Sequence, residues 1–318
     1  MTSDAALAAA DIQSADARIG ALIRRTPLLE IPGDRFGTER PVVLKLESLQ
    51  YTGSFKPRGA FNNLTSNAIP DAGVTAASGG NHGAAVAFAA RRLGVKARIF
   101  VPSISSPVKV EKIRRLGAEI VIQGERYYDA AALCEAYAGT SGAFNVHPYD
   151  SPATLAGQGT LGLEWERQLE SAGAAKLDTV LVAVGGGGLI GGIAAWFSGR
   201  CKVVGVEPAG SRALHAALAA GRIVEVEVNS IAADSLGARY TGALVFAIAQ
   251  TSIERVVLVE DDDIRAAQRL LLDDYCLLAE PGGATAFAAL LSGAYKPEPD
   301  ERVGVLLCGG NVDLRTLI

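Results

Sequence analysis

Short runs of valine, isoleucine and leucine recur along this chain, and alanine-rich amphipathic stretches separate them almost from end to end. VVLKLE at 42–47, ARIFVP at 97–102, EIVIQ at 119–123, TVLVAV at 179–184, KVVGVEP at 202–208 and VGVLLC at 303–308 carry no strict polar alternation. A strand with one face in water alternates; a strand covered on both faces does not. GVTAA, ending at Ala77, is a shorter strand candidate. Between the runs, AAVAFAARRLG after Gly83, PVKVEKIRRLG from Pro107 and DDDIRAAQRLLLDD from Asp261 read as helices. The first two end in Leu-Gly with arginines in the last turn, and the third opens on three aspartates, as the helix dipole favours. Strand and helix in alternation predict an α/β fold with mostly parallel sheet. A length of 318 residues suits one large or two medium domains. The one weak break is the polar segment SGAFNVHPYDSPATLAGQG at 141–159, with Pro148 and Pro152.

Charge and cysteine usage exclude several function classes. Thirty basic residues against 34 acidic ones give a net charge of −4, with no basic block, which speaks against nucleic acid as the main partner. The opening MTSDAALAAADIQSADARIG has no basic start and no long apolar run, so no signal peptide is expected. No charge-free stretch has the roughly 20 apolar residues of a membrane span. Cys134, Cys201, Cys276 and Cys308 are scattered without a CxxC pair, so neither a zinc site nor a disulfide framework is expected, and a reducing cytoplasm is the expected home. The sequence stops soon after its last strand, so no added regulatory domain is expected.

Five short motifs could carry chemistry. Gly185, Gly186, Gly187 and Gly188 follow a buried strand and precede LIGGIAAWF, a helix candidate. Consecutive glycines let backbone N–H groups converge on a phosphate at a helix N-terminus. The next strand ends in Glu207, so a nucleotide reading of the loop, with NAD-dependent redox chemistry, stays open at this point. In SFKPRGA, Lys56 stands between Phe55 and Pro57; an amine that forms a Schiff base needs partial desolvation. SGGNHG, from Ser78 to Gly83, offers small residues at a helix start and the amide of Asn81; His82, taken alone, reads as a capping or core histidine. CGGN places Cys308 at the carboxyl end of a buried strand, where open α/β sheets put ligands. EPGGA holds Glu280, a helix N-cap neighbour or a buried acid facing a site.

Taken together and in this order, SFKPRGA, SGGNHG, GGGGL, EPGGA and CGGN resemble the fold type II pyridoxal phosphate (PLP) enzymes of the tryptophan synthase β type. Within them the chain resembles the serine/threonine dehydratases (threonine ammonia-lyases) and serine racemases. The resemblance runs from about Thr26 to the C-terminus. It implies two domains, each an open, twisted, mostly parallel sheet flanked by helices: a large PLP-binding domain from 1–48 and 148–318, and a small mobile domain from 49–147. It implies Lys56 as the Schiff-base lysine and the base at Cα, and Phe55 packed beside the cofactor ring. Gly185 to Gly188 and Leu189 would hold the phosphate, Asn81 the phenolic oxygen, and Cys308 the pyridine nitrogen, with Glu280 also at the cofactor. Ser78, Gly80, Asn81 and His82 would cradle the substrate carboxylate, and Asp234 would face the substrate hydroxyl. A homodimer is implied as well.

Two departures bear on the reaction. Racemases of this group carry a serine directly before Gly-Asn-His as an acid/base on the second face; here that residue is Gly79. A glycine moves no proton, so elimination is favoured over racemisation. Of the family's cation site only Glu207 is present, and the following PAGSRALHAA supplies no second acid. The implied activity is the dehydration and deamination of a small hydroxy amino acid, such as L-threonine or L-serine, to a 2-oxo acid and ammonia. The alternatives are a serine racemase, a β-replacement enzyme, and a dehydratase of a 3-substituted serine such as 3-hydroxyaspartate or phenylserine.

Overall fold

Ten strands lie within residues 7–313, the residues described by the computed structural model. They are β1 (Leu28–Ile31), β2 (Val42–Leu46), β3 (Val74–Ala77), β4 (Ala97–Val101), β5 (Glu119–Ile122), β6 (Phe144–Asn145), β7 (Thr179–Ala183), β8 (Lys202–Pro208), β9 (Arg255–Val259) and β10 (Val303–Leu307). All six runs read as clear strands form strands, and GVTAA forms β3. The chain adds β1, β6 and β9. The helices are α1 (Ala9–Ile19), α2 (Pro57–Ser66), α3 (Asn81–Leu93), α4 (Pro107–Arg115), α5 (Tyr127–Ser141), α6 (Pro152–Ser171), α7 (Gly188–Phe197), α8 (Ala213–Ala220), α9 (Ala233–Leu236), α10 (Ala243–Ser252), α11 (Asp261–Tyr275) and α12 (Pro281–Ser292). None is long and apolar enough to cross a membrane.

The strands sort into two sheets. One has six strands in the order β1-β2-β10-β7-β8-β9, and the other has four in the order β5-β4-β3-β6. Every pairing is parallel except that of β1 with β2. Three of the runs without alternation, β2, β7 and β10, are buried at every residue, whereas EIVIQ forms β5 at the edge of its sheet, where Glu119 and Ile122 are exposed. α12 packs across β7, β8, β9 and β10, and α7 lies on β7 and β8 with α6 behind it. α3 and α5 cover β3 and β4. Each sheet has its own apolar core, centred on residues such as Leu181, Val204 and Leu306 in the first and Val86, Ile99 and Ile113 in the second.

Strand order positions the site. In the larger sheet β7 leads outward to β8 and β9 on one side, while its other neighbour is the last strand, β10. In the smaller sheet β3 leads to β4 and β5 on one side, with β6 on the other. Ligands in open parallel sheets bind beyond the carboxyl ends of the strands where the order reverses. This molecule has two such points, and a single pocket is lined by residues from both.

Candidate active site

From the larger sheet the pocket receives the exits of β7 and β10, namely Gly185 to Leu189 and Cys308. From the smaller sheet it receives the exits of β3 and β6: Ser78, Asn81 and His82 from one, Pro148 and Tyr149 from the other. Phe55, Lys56, Asp234 and Glu280 complete the predicted residues that line it. Gly80 is adjacent, since a Cβ built on it would stand 3.9 Å from Asp234 Oδ1.

Lys56 is held from both sides. Upstream, Ser54 pairs with Gly309 in an isolated bridge and Phe55 N donates to Cys308 O at 3.1 Å. Downstream, Pro57 opens α2, with Lys56 as its N-cap residue; proline at this position loses no helical hydrogen bond. Lys56 Nζ donates to Pro148 O at 2.9 Å and lies 5.1 Å from the centre of the Phe55 ring. Desolvation lowers its pKa to about 8, with Cys308 and Glu280 pulling the other way. At that pKa about a tenth of the amine is free at pH 7, far more than an ordinary lysine offers a carbonyl group.

Opposite it, Gly187 holds a left-handed conformation (φ 93°) and α7 begins at Gly188. A Cβ on Gly187 would stand 2.4 Å from Val245 Cγ1, and one on Gly186 2.4 Å from the ring of Tyr149. Backbone conformation and space both require glycine here. Near the loop, Thr241 Oγ1 is buried without a hydrogen-bond partner and lies 3.3 Å from the position of that Gly187 Cβ. Exposed N–H groups at a helix start and an orphaned hydroxyl beside them fit a phosphate. The nucleotide reading of the loop fares worse: Glu207 turns both carboxylate oxygens onto Leu214 N and His215 N, at 2.9 and 2.8 Å. It thereby satisfies the N-terminus of α8 and lies outside the pocket. Burial pushes its pKa up to about 8. Both Glu207 oxygens are thus engaged at the start of α8, and among the described residues no group of three or more His, Cys, Asp or Glu is placed to hold a metal ion.

The wall from the smaller sheet is polar. Asn81 Nδ2 donates to Glu280 Oε1, and Asn81 Oδ1 accepts from Asn311 Nδ2 at 2.7 Å. Glu280 is buried and its pKa is raised by desolvation. His82 Nε2 donates to Val146 O at 2.8 Å, and burial, with Lys56 nearby, lowers its pKa to about 3. It is a neutral, tethered ring, close to the core histidine expected from its motif alone. Asp234 lines the pocket and pairs with Lys109 of α4. Cys308 Sγ donates to Gly282 O at 3.4 Å, and burial pushes the thiol up to about 12, so it stays neutral. At Gly79 a Cβ would fall 1.9 Å from Ser105 Oγ and 2.5 Å from Ser105 Cβ. The space of a side chain at 79 is taken by Ser105.

Sequence reasoning missed Tyr127, Tyr149, Thr241 and Lys109. Tyr149 stands in the polar segment read only as a possible boundary, and an aromatic there was a usable signal. Thr241 and Lys109 carried none, because distant chain segments bring them to the site.

Comparison with known proteins agrees with this geometry. Residues 19–309 match the family described as "Pyridoxal-phosphate dependent enzyme". The chain is 41% identical over 315 residues to a phenylserine dehydratase of Ralstonia pickettii, covering 94% of this chain and 92% of the relative. It is 39% identical over 314 residues to an L-threonine ammonia-lyase of Geobacter sulfurreducens, covering 96% and 76%. Among solved structures, maize serine racemase superposes with a TM-score of 0.91 at 31% identity, covering 98% of this chain and 96% of that one. The oxidoreductase alternative is thereby set aside, and the chain belongs to the pyridoxal-phosphate dependent enzyme family, with pyridoxal 5'-phosphate as its cofactor.

Proposed function

We propose that this enzyme dehydrates and deaminates a 3-hydroxy amino acid, yielding a 2-oxo acid and ammonia. The observation that carries the reading is that Lys56 is the pocket's one lysine, with its amine lowered toward neutrality, while position 79, where the resemblance puts a second-face acid or base, is a glycine. Lys56 is lowered to about 8. His82 is held neutral with its Nε2 committed to Val146, Cys308 is a neutral thiol, and burial raises the hydroxyls of Tyr127 and Tyr149. At Gly79 the second face has no side chain. One base can take the Cα proton and leave the β-hydroxyl to depart; inversion needs a donor on the other face.

In this reading Lys56 holds the cofactor and Phe55 packs beside it. Bound there, pyridoxal phosphate supplies the electron sink for the pair left at Cα. Gly185 to Gly188 and Leu189 hold the phosphate through N–H groups, with Thr241 Oγ1 beside them. Asn81 and Glu280 would hold the cofactor's phenolic oxygen side, and Cys308 would meet its ring nitrogen. Ser78, Gly80, Asn81 and His82 receive the substrate carboxylate, and Asp234 the hydroxyl side. The Lys56 amine would take the Cα proton and, as an ammonium, return one to the β-hydroxyl, which would leave as water. Hydrolysis of the unsaturated amine then releases ammonia. Residues 49–147 act as a small domain that closes on the larger one (1–48 and 148–318); that β3 to β6 form their own sheet supports this division. The working unit is a homodimer, and four unpaired cysteines accord with a reducing cytoplasm.

A second reading of the side chain, a β-aryl serine, is supported by Tyr127 and Tyr149 on the pocket wall, with Tyr128 edge-on to Tyr127 and Tyr240 tilted against Tyr128 behind it, ring centres 5.2 and 5.8 Å apart. The relative from Ralstonia, by its name, acts on such a substrate. The test is oxo-acid release from L-serine, L-threonine, threo-3-hydroxyaspartate and 3-phenylserine, with the visible spectrum followed in the same cuvette. Release from any of them supports elimination, and the preferred one decides the side chain. A cofactor spectrum with no release from any would sink the dehydratase reading. Lys56→Ala should lose both the long-wavelength absorbance of bound cofactor and turnover.

A further inference from the structure

Two residues beyond Lys56, the fold encloses four charges that the reaction does not use. Arg58, in the first turn of α2, is fully buried. Its Nε and Nη2 donate to the two carboxylate oxygens of Glu47 at 2.9 and 2.7 Å. Nη2 also reaches Glu164 Oε2 at 2.9 Å, and Nη1 reaches Thr160 Oγ1 at 3.2 Å. Lys45 Nζ bonds Glu164, Gln168 and, at 2.9 Å, Thr26 O. Glu47 stands just past the end of β2, and Glu164 and Thr160 lie on α6. The guanidinium fork thus joins α2 to the larger sheet and to α6 at once, in a geometry that a point charge cannot reproduce.

Enclosing two cations and two carboxylates is costly, and a well-packed apolar set of the same volume is often no less stable. The arrangement therefore calls for a role in placement. The same turn is pressed on α6 by backbone: a Cβ on Gly157 would stand 2.6 Å from Arg58 O and 2.7 Å from Gly59 Cα. Upstream, the bridge of Ser54 to Gly309 and the Phe55–Cys308 hydrogen bond fix the other side of the lysine.

We propose that Arg58, clamped by Glu47 and Glu164, is a positioning residue for Lys56: it holds the first turn of α2 so that Nζ keeps its place in the pocket as it gains and loses its proton. The proposal rests on Lys56 being the reacting amine. Arg58→Lys keeps the charge and loses the fork; Glu47→Gln keeps the shape and loses half of the grip. Both should retain the cofactor. Both should lower kcat on the order of 10- to 100-fold, the scale of a small misplacement, with KM little changed. Both should also move the midpoint of the pH titration of the bound cofactor's visible absorbance. Ile264→Val in α11, a core truncation away from Lys56, should lower the melting temperature and leave kcat and titration as they were.

Clamp variants that lose melting temperature as Ile264→Val does, with kcat and titration unchanged, would overturn the proposal. Should Arg58→Lys and Glu47→Gln fail to fold, Thr160→Val, which removes one contact of the fork, decides the matter: a smaller fall in kcat with a moved midpoint supports the clamp, and no change in either overturns it. Lys56→Ala separates the two levels. Turnover retained there removes the lysine reading and the clamp with it; turnover lost there, with neutral clamp variants, removes the clamp alone.

Discussion

On the side of the six-stranded sheet the pocket meets a glycine loop and a helix start, with the side chains of Cys308 and Glu280 beside them and Lys56 tied to this sheet through the Phe55–Cys308 hydrogen bond. On the side of the four-stranded sheet it meets side chains, among them Asn81, His82 and, across the mouth, Lys109 reaching to Asp234. The first wall has almost no freedom, because what holds it is backbone against backbone and a buried fork. The second is built from hydrogen-bonded groups on α3 and α4, some of them open to solvent. A cofactor that stays for many turnovers suits the first wall, and a substrate that enters and leaves suits the second.

The sharpest way to break this contrast is at the glycine loop. Gly187→Val forces a β-branched residue into a left-handed conformation, at about 1–2 kcal/mol, and against Val245, at about 1–3 kcal/mol more. The expected outcome is loss of pyridoxal phosphate on dialysis, read from the absorbance, together with a lower melting temperature. A variant that kept both would show that the loop is less constrained than its geometry says.

The next effect separates the walls by pH. Below its pKa of about 8 Lys56 is an ammonium and accepts no proton. The acid limb of kcat should therefore fall about tenfold per pH unit below pH 8 and level above it. His82, lowered to about 3 and tied to Val146, should add no limb between pH 5 and 8. A second limb in that window would bring another pocket group into the chemistry, and Glu280→Gln would tell whether it is Glu280, whose pKa burial raises.

The smallest effect belongs to the exposed pair. Lys109 and Asp234 have side chains 21% and 55% exposed, so Lys109→Ala should cost only about 0.5 kcal/mol in stability, and kcat/KM should move by roughly twofold. A large loss would mean that this contact fixes the closed cleft.

Much of this was legible because the informative residues are local. Strands covered on both faces announce themselves as unbroken apolar runs, and a glycine loop between strand and helix can be read without knowing its neighbours. β1 escaped because it is four residues of LLEI behind a proline, paired antiparallel at the edge of its sheet. β9 left a readable VVLV, and only the aspartates after it drew notice as a helix start. The orphaned hydroxyl of Thr241, the reach of Lys112 to Asn311 and the grip of Glu164 on Arg58 join residues far apart in the chain. Such contacts leave no periodicity to detect. The place of Glu207 at the start of α8 was hidden for a related reason: its partners are backbone N–H groups, which every residue but proline carries.

The crowding at Gly79 has a historical side. A serine introduced there would find both Oγ and Cβ of Ser105 in its way, on a different segment of chain. A path that places a side chain at 79 therefore runs through a change at 105 as well, since two side chains cannot share that space. A vacancy guarded by a neighbour's bulk is harder to fill by a single change than one left open.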